Sequence, residues 1–313
     1  MPIYSPTFRL HTIGVYLLLV AVLMPTLAKA QGCSDAGFCT ITGSHGQSID
    51  SLHNRLEIGN VYAVAEEDVQ VNTQYITYRR QFGARWAASV KTTFSTAWGN
   101  FGTRGHFGDV YGTGFYTLSH PSVPKKVMWN ALLGVKVPTN LGNLKINQNP
   151  LPMVYQSSLG TVDAIAGLNA TIESWTLDAA VQLPVVQSNR NSFFAEQSGT
   201  DVFPSTNLFE RRPDALLRVT YNYQTDDRRL TVRPNLLAIY HLGEDTFEDA
   251  LGKRQDIKGS DGLTLNINLI ADYFWVPRHG LELSVAGPLV VREERPDGLT
   301  RGLTAGLAYI ARF

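Results

Sequence analysis

Between Leu56 and Phe313 the chain returns again and again to one pattern. A run of roughly ten residues places apolar side chains at every second position, and a turn or loop follows. The cleanest run is Leu263-Leu265-Ile267-Leu269-Ala271-Tyr273-Trp275, with Thr264, Asn266, Asn268 and Asp272 between. Successive side chains of a strand point to opposite faces, so each run is a strand with an apolar and a polar side. The alternation leaves two solutions. One is a secreted sandwich of two sheets. The other is a closed barrel whose apolar side meets lipid.

The first two runs have the apolar-leaning faces Leu56-Ile58-Asn60-Tyr62-Val64 and Val69-Val71-Thr73-Tyr75-Thr77. Trp86 to Phe94 follows a turn at Phe82–Ala84. The Gly-rich stretch Trp98–Gly108 reads as a loop, and Val110 to Leu118 as a weaker strand thinned by glycine. Further runs span Val127–Val137, Val162–Ala170, Trp175–Leu183, Ala215–Tyr223, Leu230–Tyr240, Leu263–Trp275 and Leu281–Val285. The last is Gly298–Phe313, whose Leu303, Ala305, Leu307, Tyr309, Ala311 and Phe313 share one face. A tilted strand needs about 9–11 residues to cross the hydrocarbon core, close to the length of these runs.

Loop length decides between the two solutions. With the N-terminus in the periplasm, the connections on that side are Phe82–Ala84, His120–Pro124, Ile172–Ser174, Thr225–Arg228 and Val276–Gly280. All are short. The other side carries Trp98–Gly108, Pro138–Gln156, Pro184–Pro213 and Gly243–Asp261. Short turns on one side and long loops on the other are the barrel signature. The expected fold is all-β, a transmembrane antiparallel up-and-down β-barrel of about 12 strands in the bacterial outer membrane. Its last strand would close on the first, with Tyr309 and Phe313 as the terminal signal for the barrel assembly machinery. Outer-membrane lipid would be the partner of its exterior.

Residues 1–30 read as a signal peptide. Arg9 and His11 precede the apolar run Ile13–Met24, and Ala28-Lys29-Ala30 is a small-x-small cleavage site. The mature chain would begin at Gln31. Residues 31–54 are expected to be a periplasmic segment and 55–313 the barrel. Cys33 and Cys39 suit a small disulfide loop in an oxidising compartment, with lipidation of Cys33 as the alternative. A formal net charge of zero argues against nucleic acid.

The polar faces define candidate lumen residues: Lys136, Asp163, Asp178, Arg218, Arg233, Asn266, Asn268, Asp272 and Glu282. Both signs are present, so they can pair into a closed network or line a polar path. Pro234 and Pro288 fall inside strand-like stretches. Proline cannot donate to a ladder, so each is a candidate break in the wall. No zinc helix, phosphate loop or nucleophile elbow occurs, and no cofactor or metal is expected. Ser44-His45 and the pair His241/Ser260 are the weak candidates for a lipid hydrolase.

The block Leu133-Gly134-Val135-Lys136-Val137-Pro138-Thr139-Asn140 resembles the "G-x-K-x-P-T-G" strand end of the outer-membrane family of the meta-pathway of phenol degradation. Ser157-Ser158-Leu159-Gly160-Thr161-Val162-Asp163 resembles that family's entry to the next strand. Asn140 stands where glycine is usual, and Cys33–Cys39 is outside the pattern. The family is similar to long-chain fatty acid transporter barrels. The resemblance implies a channel or transporter for small hydrophobic or aromatic compounds. A non-conducting barrel with ligand-binding outer loops is the alternative, and a lipid-modifying barrel enzyme the third reading.

Overall fold

The computed structural model describes residues 52–119, 127–199, 202–298 and 301–313. The leader, Cys33, Cys39, Ser44 and His45 lie outside them, as does the 31–54 segment apart from its last three residues. Twelve strands form the wall: β1 (Asn54–Ala65), β2 (Gln70–Phe82), β3 (Trp86–Gly99), β4 (Gly102–Thr117), β5 (Met128–Val137), β6 (Thr161–Ile172), β7 (Trp175–Gln187), β8 (Asp214–Tyr221), β9 (Leu230–His241), β10 (Gly262–Val276), β11 (His279–Val290) and β12 (Arg301–Arg312). Tyr223–Gln224 prolongs the line of β8 along β9. Each strand pairs antiparallel with its chain neighbour, and β12 returns to β1, with Leu56 opposite Ala311 and Tyr62 opposite Ala305. The sheet is closed. In lipid, where no water can satisfy a free N–H or C=O, closure is what makes such a sheet permissible.

Loops 138–160, 188–213 and 242–261 leave from one end. Turns 83–85, 173–174 and 277–278 lie at the other, beside Asn54 and Phe313. Two details differ from the alternation pattern. Trp98–Gly108 is not a loop: β3 runs to Gly99, a two-residue turn follows, and β4 begins at Gly102. Its glycines and a bulge between Thr92 and Phe94 hide the strand signal. On β2 the inward face is Val71-Thr73-Tyr75-Thr77, while Ile76, Tyr78 and Phe82 are exposed. Both faces of β2 carry apolar residues, so the pattern alone could not set its phase.

The wall is apolar outside and polar inside. Leu133 is 70% and Leu283 57% exposed, while Lys136 and Asp163 are fully buried. That is the inverse of a soluble protein and is favourable only against lipid. Exposed aromatics crowd the end that holds the termini: Phe82, Trp86, Trp129, Trp175, Trp275 and Phe313 among them. The loop end has fewer, with Tyr62, Phe94, Phe107 and Tyr240. Such rings sit at the membrane–water boundary.

Leu283→Arg, near mid-wall, should destabilise the barrel by about 2–4 kcal/mol in vesicles. Leu251→Arg, in loop 242–261, should change stability little, because Leu251 is already 92% exposed. Denaturant titration of both variants in lipid vesicles reads the contrast.

Candidate functional site: the roofed lumen

The loops at one end fold inward as a roof. Loop 138–160 turns through a short hairpin, Lys145–Ile146 against Asn149–Pro150, and then a single 3-10 turn, Met153–Tyr155. All three side chains of that turn are buried. Leu151, Val154 and Tyr155 pack with Phe193 and Phe203 of the next loop against Ala65, Val69, Val71 and Ala97 of the opposite wall. Tyr155 Oη accepts a hydrogen bond of 3.3 Å from the Phe101 N–H. A Cβ on Gly99 would collide with that hydroxyl, so the roof settles here because glycine leaves room.

Irregular backbone must still find partners when buried. Side-chain amides supply them. Gln156 Oε1 accepts from the Leu144 N–H at 2.8 Å, while Gln156 Nε2 donates to Leu144 O and Leu151 O. Asn191 Nδ2 donates to Gly142 O and Leu151 O, joining the two loops. Asn189 Nδ2 donates to Leu159 O at 2.8 Å.

Buried charges fasten the roof to the rim. Arg211 meets Asp214 at 2.6 Å and Asp297 at 3.5 Å, and Arg292 meets Asp297 at 2.9 Å. Burial works against the charge of Arg211, but Asp214 and Asp297 outweigh it and hold the guanidinium above its ordinary pKa. Arg292 is held up in the same way by Asp297 and Asp245. Burial pushes the Asp245 carboxyl up against the pull of His241. Both ring nitrogens of His241 are taken, Nδ1 by Asp214 and Nε2 by Asp245, each at 2.7 Å. Ser260 Oγ accepts from the Asp245 N–H and donates to Ile257 O at 2.6 Å. The His241/Ser260 pair is therefore not a nucleophile and its base: a carboxylate occupies each place where the serine would have to sit.

The two sequence blocks that carry the family likeness meet at the rim. Lys136 Nζ lies 2.9 Å from both Asp163 Oδ2 and Thr161 Oγ1, and 3.5 Å from Asp109 Oδ2. Gln182 Nε2 donates to Asp163 at 2.5 Å. Asn140 Nδ2 donates to Ser157 Oγ, and Thr139, Asn140 and Ser157 all donate to Phe107 O at 2.9 Å. Pairing of β4 with β5 stops at Val110 opposite Val137, so Phe107 lies beyond that ladder and the loop captures its carbonyl.

Lower in the lumen, Arg233 Nη2 binds both oxygens of Asp272, at 2.8 and 2.9 Å, and reaches Glu282 at 3.3 Å. Arg218 stands opposite Asp178 on the β7–β8 ladder, and Asn169 Nδ2 donates to Asp178 Oδ1 at 2.6 Å. Asn268 Nδ2 donates to Asn235 Oδ1 at 2.8 Å. Asn266 is buried, and its Oδ1 has no partner among the described residues. All nine candidate residues project inward. Arg55, Glu57 and Asp109, which join the same networks, were legible as inward positions but were not singled out. Arg211, Arg292 and Asp297 lie in loops, where alternation gives no signal.

One half of the lumen is filled by Leu132, Ile165, Ala180, Leu216 and Leu237. The other half holds a cavity of about 180 Å³. Tyr75, Lys91, Tyr111, Arg218, Asn268 and Glu282 line it, and Gln156 and Ser157 close it from above. Lys91 Nζ sits 4.1 Å from the centre of the Tyr75 ring.

The wall is interrupted near both prolines. Pairing of β11 with β12 ends at Ala286 opposite Thr304. Beyond it, Pro288 sits beside a register shift in the β10–β11 ladder. Pro234 pairs with Leu269, but on its other side the β8–β9 ladder lapses between Thr220 and Tyr223. Asn222 turns away there to bond Ser174 O.

A closed twelve-stranded sheet with an apolar exterior, aromatic rims and a charged lumen is a membrane-spanning β-barrel of the outer-membrane type. Solved barrels are similar in outline. They include the translocator domain of the autotransporter NalP from Neisseria meningitidis, at 10% identity and a TM-score of 0.42 over 99% of each chain. The NanC porin matches at 9% identity and 0.46, over 82% of this chain and 98% of the porin. A deltaS2S3 mutant of the TodX monoaromatic hydrocarbon channel matches at 11% and 0.45, over 91% and 98%. No protein-family model and no curated protein matches the chain.

Lys136→Met should destabilise the barrel by about 3–5 kcal/mol, since it strands Asp109 and Asp163 in a buried site. Adding Asp163→Asn should recover part of the loss. Unfolding midpoints of the single and double variants in vesicles measure both.

Proposed function

We propose that the protein is a bacterial outer-membrane channel for small hydrophobic or aromatic compounds, with its termini in the periplasm and its roof outside. The observation that carries this is the lumen cavity beneath the roof. A cavity of about 150 Å³ is enough to hold benzene, so one of about 180 Å³ accepts a single substituted ring. Tyr75, Tyr111, Val61 and Ile270 give it apolar surface, and Lys91, Arg218 and Asn268 give it orienting polar groups. The residue-level likeness to the meta-pathway family supports the same substrate class. The interrupted ladder beside Pro288 suits sideways exit of an apolar solute into the membrane. Tyr309 and Phe313, exposed on the closing strand, suit recognition by the assembly machinery.

A second reading has its own support. The apolar filling of one half of the lumen and the ion pairs along its inner wall fit a non-conducting barrel that works through its loops.

Planar-bilayer conductance of the chain from Gln31 to Phe313, with and without phenol, separates the two. Channel steps that phenol blocks are the expected result, and Arg218→Gln should change them. A folded barrel with neither steps nor phenol binding would overturn the channel reading in favour of the second.

A further inference from the structure

The lipid-facing side of the wall is not uniform. Between the two rims, the outward positions of β5 to β11 carry only aliphatic and aromatic residues, proline and glycine, with Leu133, Leu177, Leu236 and Ile267 as examples. β1 and β2 depart from this. Ile58 and Tyr62 are exposed on the outward face of β1, so Asn60 between them points the same way. Ile76 and Tyr78 are exposed on β2, which puts Asn72 and Gln74 on the outward face too.

The three amides are neighbours. Asn60 stands opposite Gln74 on the ladder. Asn60 Nδ2 donates to Asn72 Oδ1 at 2.9 Å, Asn72 Nδ2 donates back to Asn60 Oδ1 at 3.1 Å, and Gln74 Nε2 donates to Asn72 Oδ1. Thr92 and Thr96 of β3, opposite Ile76 and Asn72, continue the polar ground. Hydrocarbon offers such groups no partner, so polar side chains facing it are costly. The mutual bonds use only part of what two N–H donors and a carbonyl oxygen per amide can make. Gln74 is exposed, and its Oε1 has no partner among the described residues.

A flat strip adjoins the amides. Tyr111 and Thr113 of β4 are buried on the inner side, so Gly112 and Gly114 lie outward, with Ala88 of β3 opposite Gly114. A Cβ on Gly112 would meet nothing closer than 3.7 Å, and one on Gly114 nothing closer than 3.9 Å. Neither glycine has a positive φ. Nothing within the barrel requires glycine at these positions, and glycine inside a strand marks a place where another backbone approaches closely.

We propose that the outward face of β1 to β4 is an interface, within the membrane, with a second copy of this chain. The amide patch holds donors and acceptors together, so its partial charges complement those of its own two-fold copy, as an isologous contact requires. Small residues that let backbones approach, and amides that bond across, are the means by which membrane-embedded surfaces associate without a hydrophobic driving force. The interface does not depend on whether the lumen conducts.

The test is energy transfer between donor- and acceptor-labelled copies of the mature chain, Gln31 to Phe313, in vesicles of rising lipid-to-protein ratio. Light scattering of the detergent-folded protein gives the mass alongside. A dimer that survives dilution is expected. Asn60→Leu combined with Gln74→Leu keeps the wall compatible with lipid and should weaken association about tenfold, the scale of one or two hydrogen bonds between walls. Gly114→Leu should weaken it by bulk, whereas Ala166→Leu, outward on β6, should leave it unchanged. A monomer at every dilution, or association equal in the parent and the β1–β4 variants, overturns the interface. So does a monomer that retains an outer-leaflet lipid in native mass spectrometry and loses it in the amide variant, since the patch would then be a lipid site. Heat-dependent gel migration verifies that each variant is folded.

Discussion

An unpaired peptide group is costly in lipid, and closure of β12 on β1 removes the two bare edges that an open sheet would present there. Much follows from that closure. A closed sheet has an inside, and strand geometry sends every second side chain there. Twelve strands enclose more space than side chains alone must fill, so the inward positions are free to be polar. Once polar, they have to find one another. Lys136 with Asp163, and Arg233 with Asp272, are the outcome.

The roof obeys the same rule by different means. Loops 138–160 and 188–213 are buried but make little ladder, so Gln156, Asn189 and Asn191 take over the role of neighbouring strands. Their amides each offer donors and an acceptor at one point, which suits an irregular backbone. The ion pairs of Arg211 and Arg292 then tie three loops to the rim. A buried ion pair adds little net stability but penalises any arrangement that separates it, so this network specifies one roof position more than it strengthens it.

Strand number, the side of the long loops and the inward set from Lys136 to Glu282 were legible in the sequence, because period-two alternation reports directly on a wall with lipid on one face. Legibility failed where that contrast fails. Gly102–Gly108 belongs to a strand, but glycine has no side chain to alternate, and the bulge shifts the phase. Val71 and Tyr75 look lipid-facing and are not, because roof and cavity give β2 an apolar environment on its inner side too. The contact of Lys136 with Asp163 could be anticipated as a pairing of opposite signs on one face. The capture of His241 between Asp214 and Asp245 could not, since it depends on how two loops fold back. The cavity is a property of what the roof leaves empty, and no single segment encodes it.

The uneven aromatic rims bear on how the barrel responds to bilayers of different thickness. Trp86, Trp129, Trp175 and Trp275 moor one end firmly at its interface, while the opposite rim has few such anchors. Hydrophobic mismatch will therefore be absorbed mainly at the weakly moored end, by thinning or thickening of the lipid around it. That is also the end where the β11–β12 ladder stops short beside Pro288. Lipid thickness and the state of that part of the wall are thus coupled, and the membrane itself becomes a variable in how tightly the barrel is sealed.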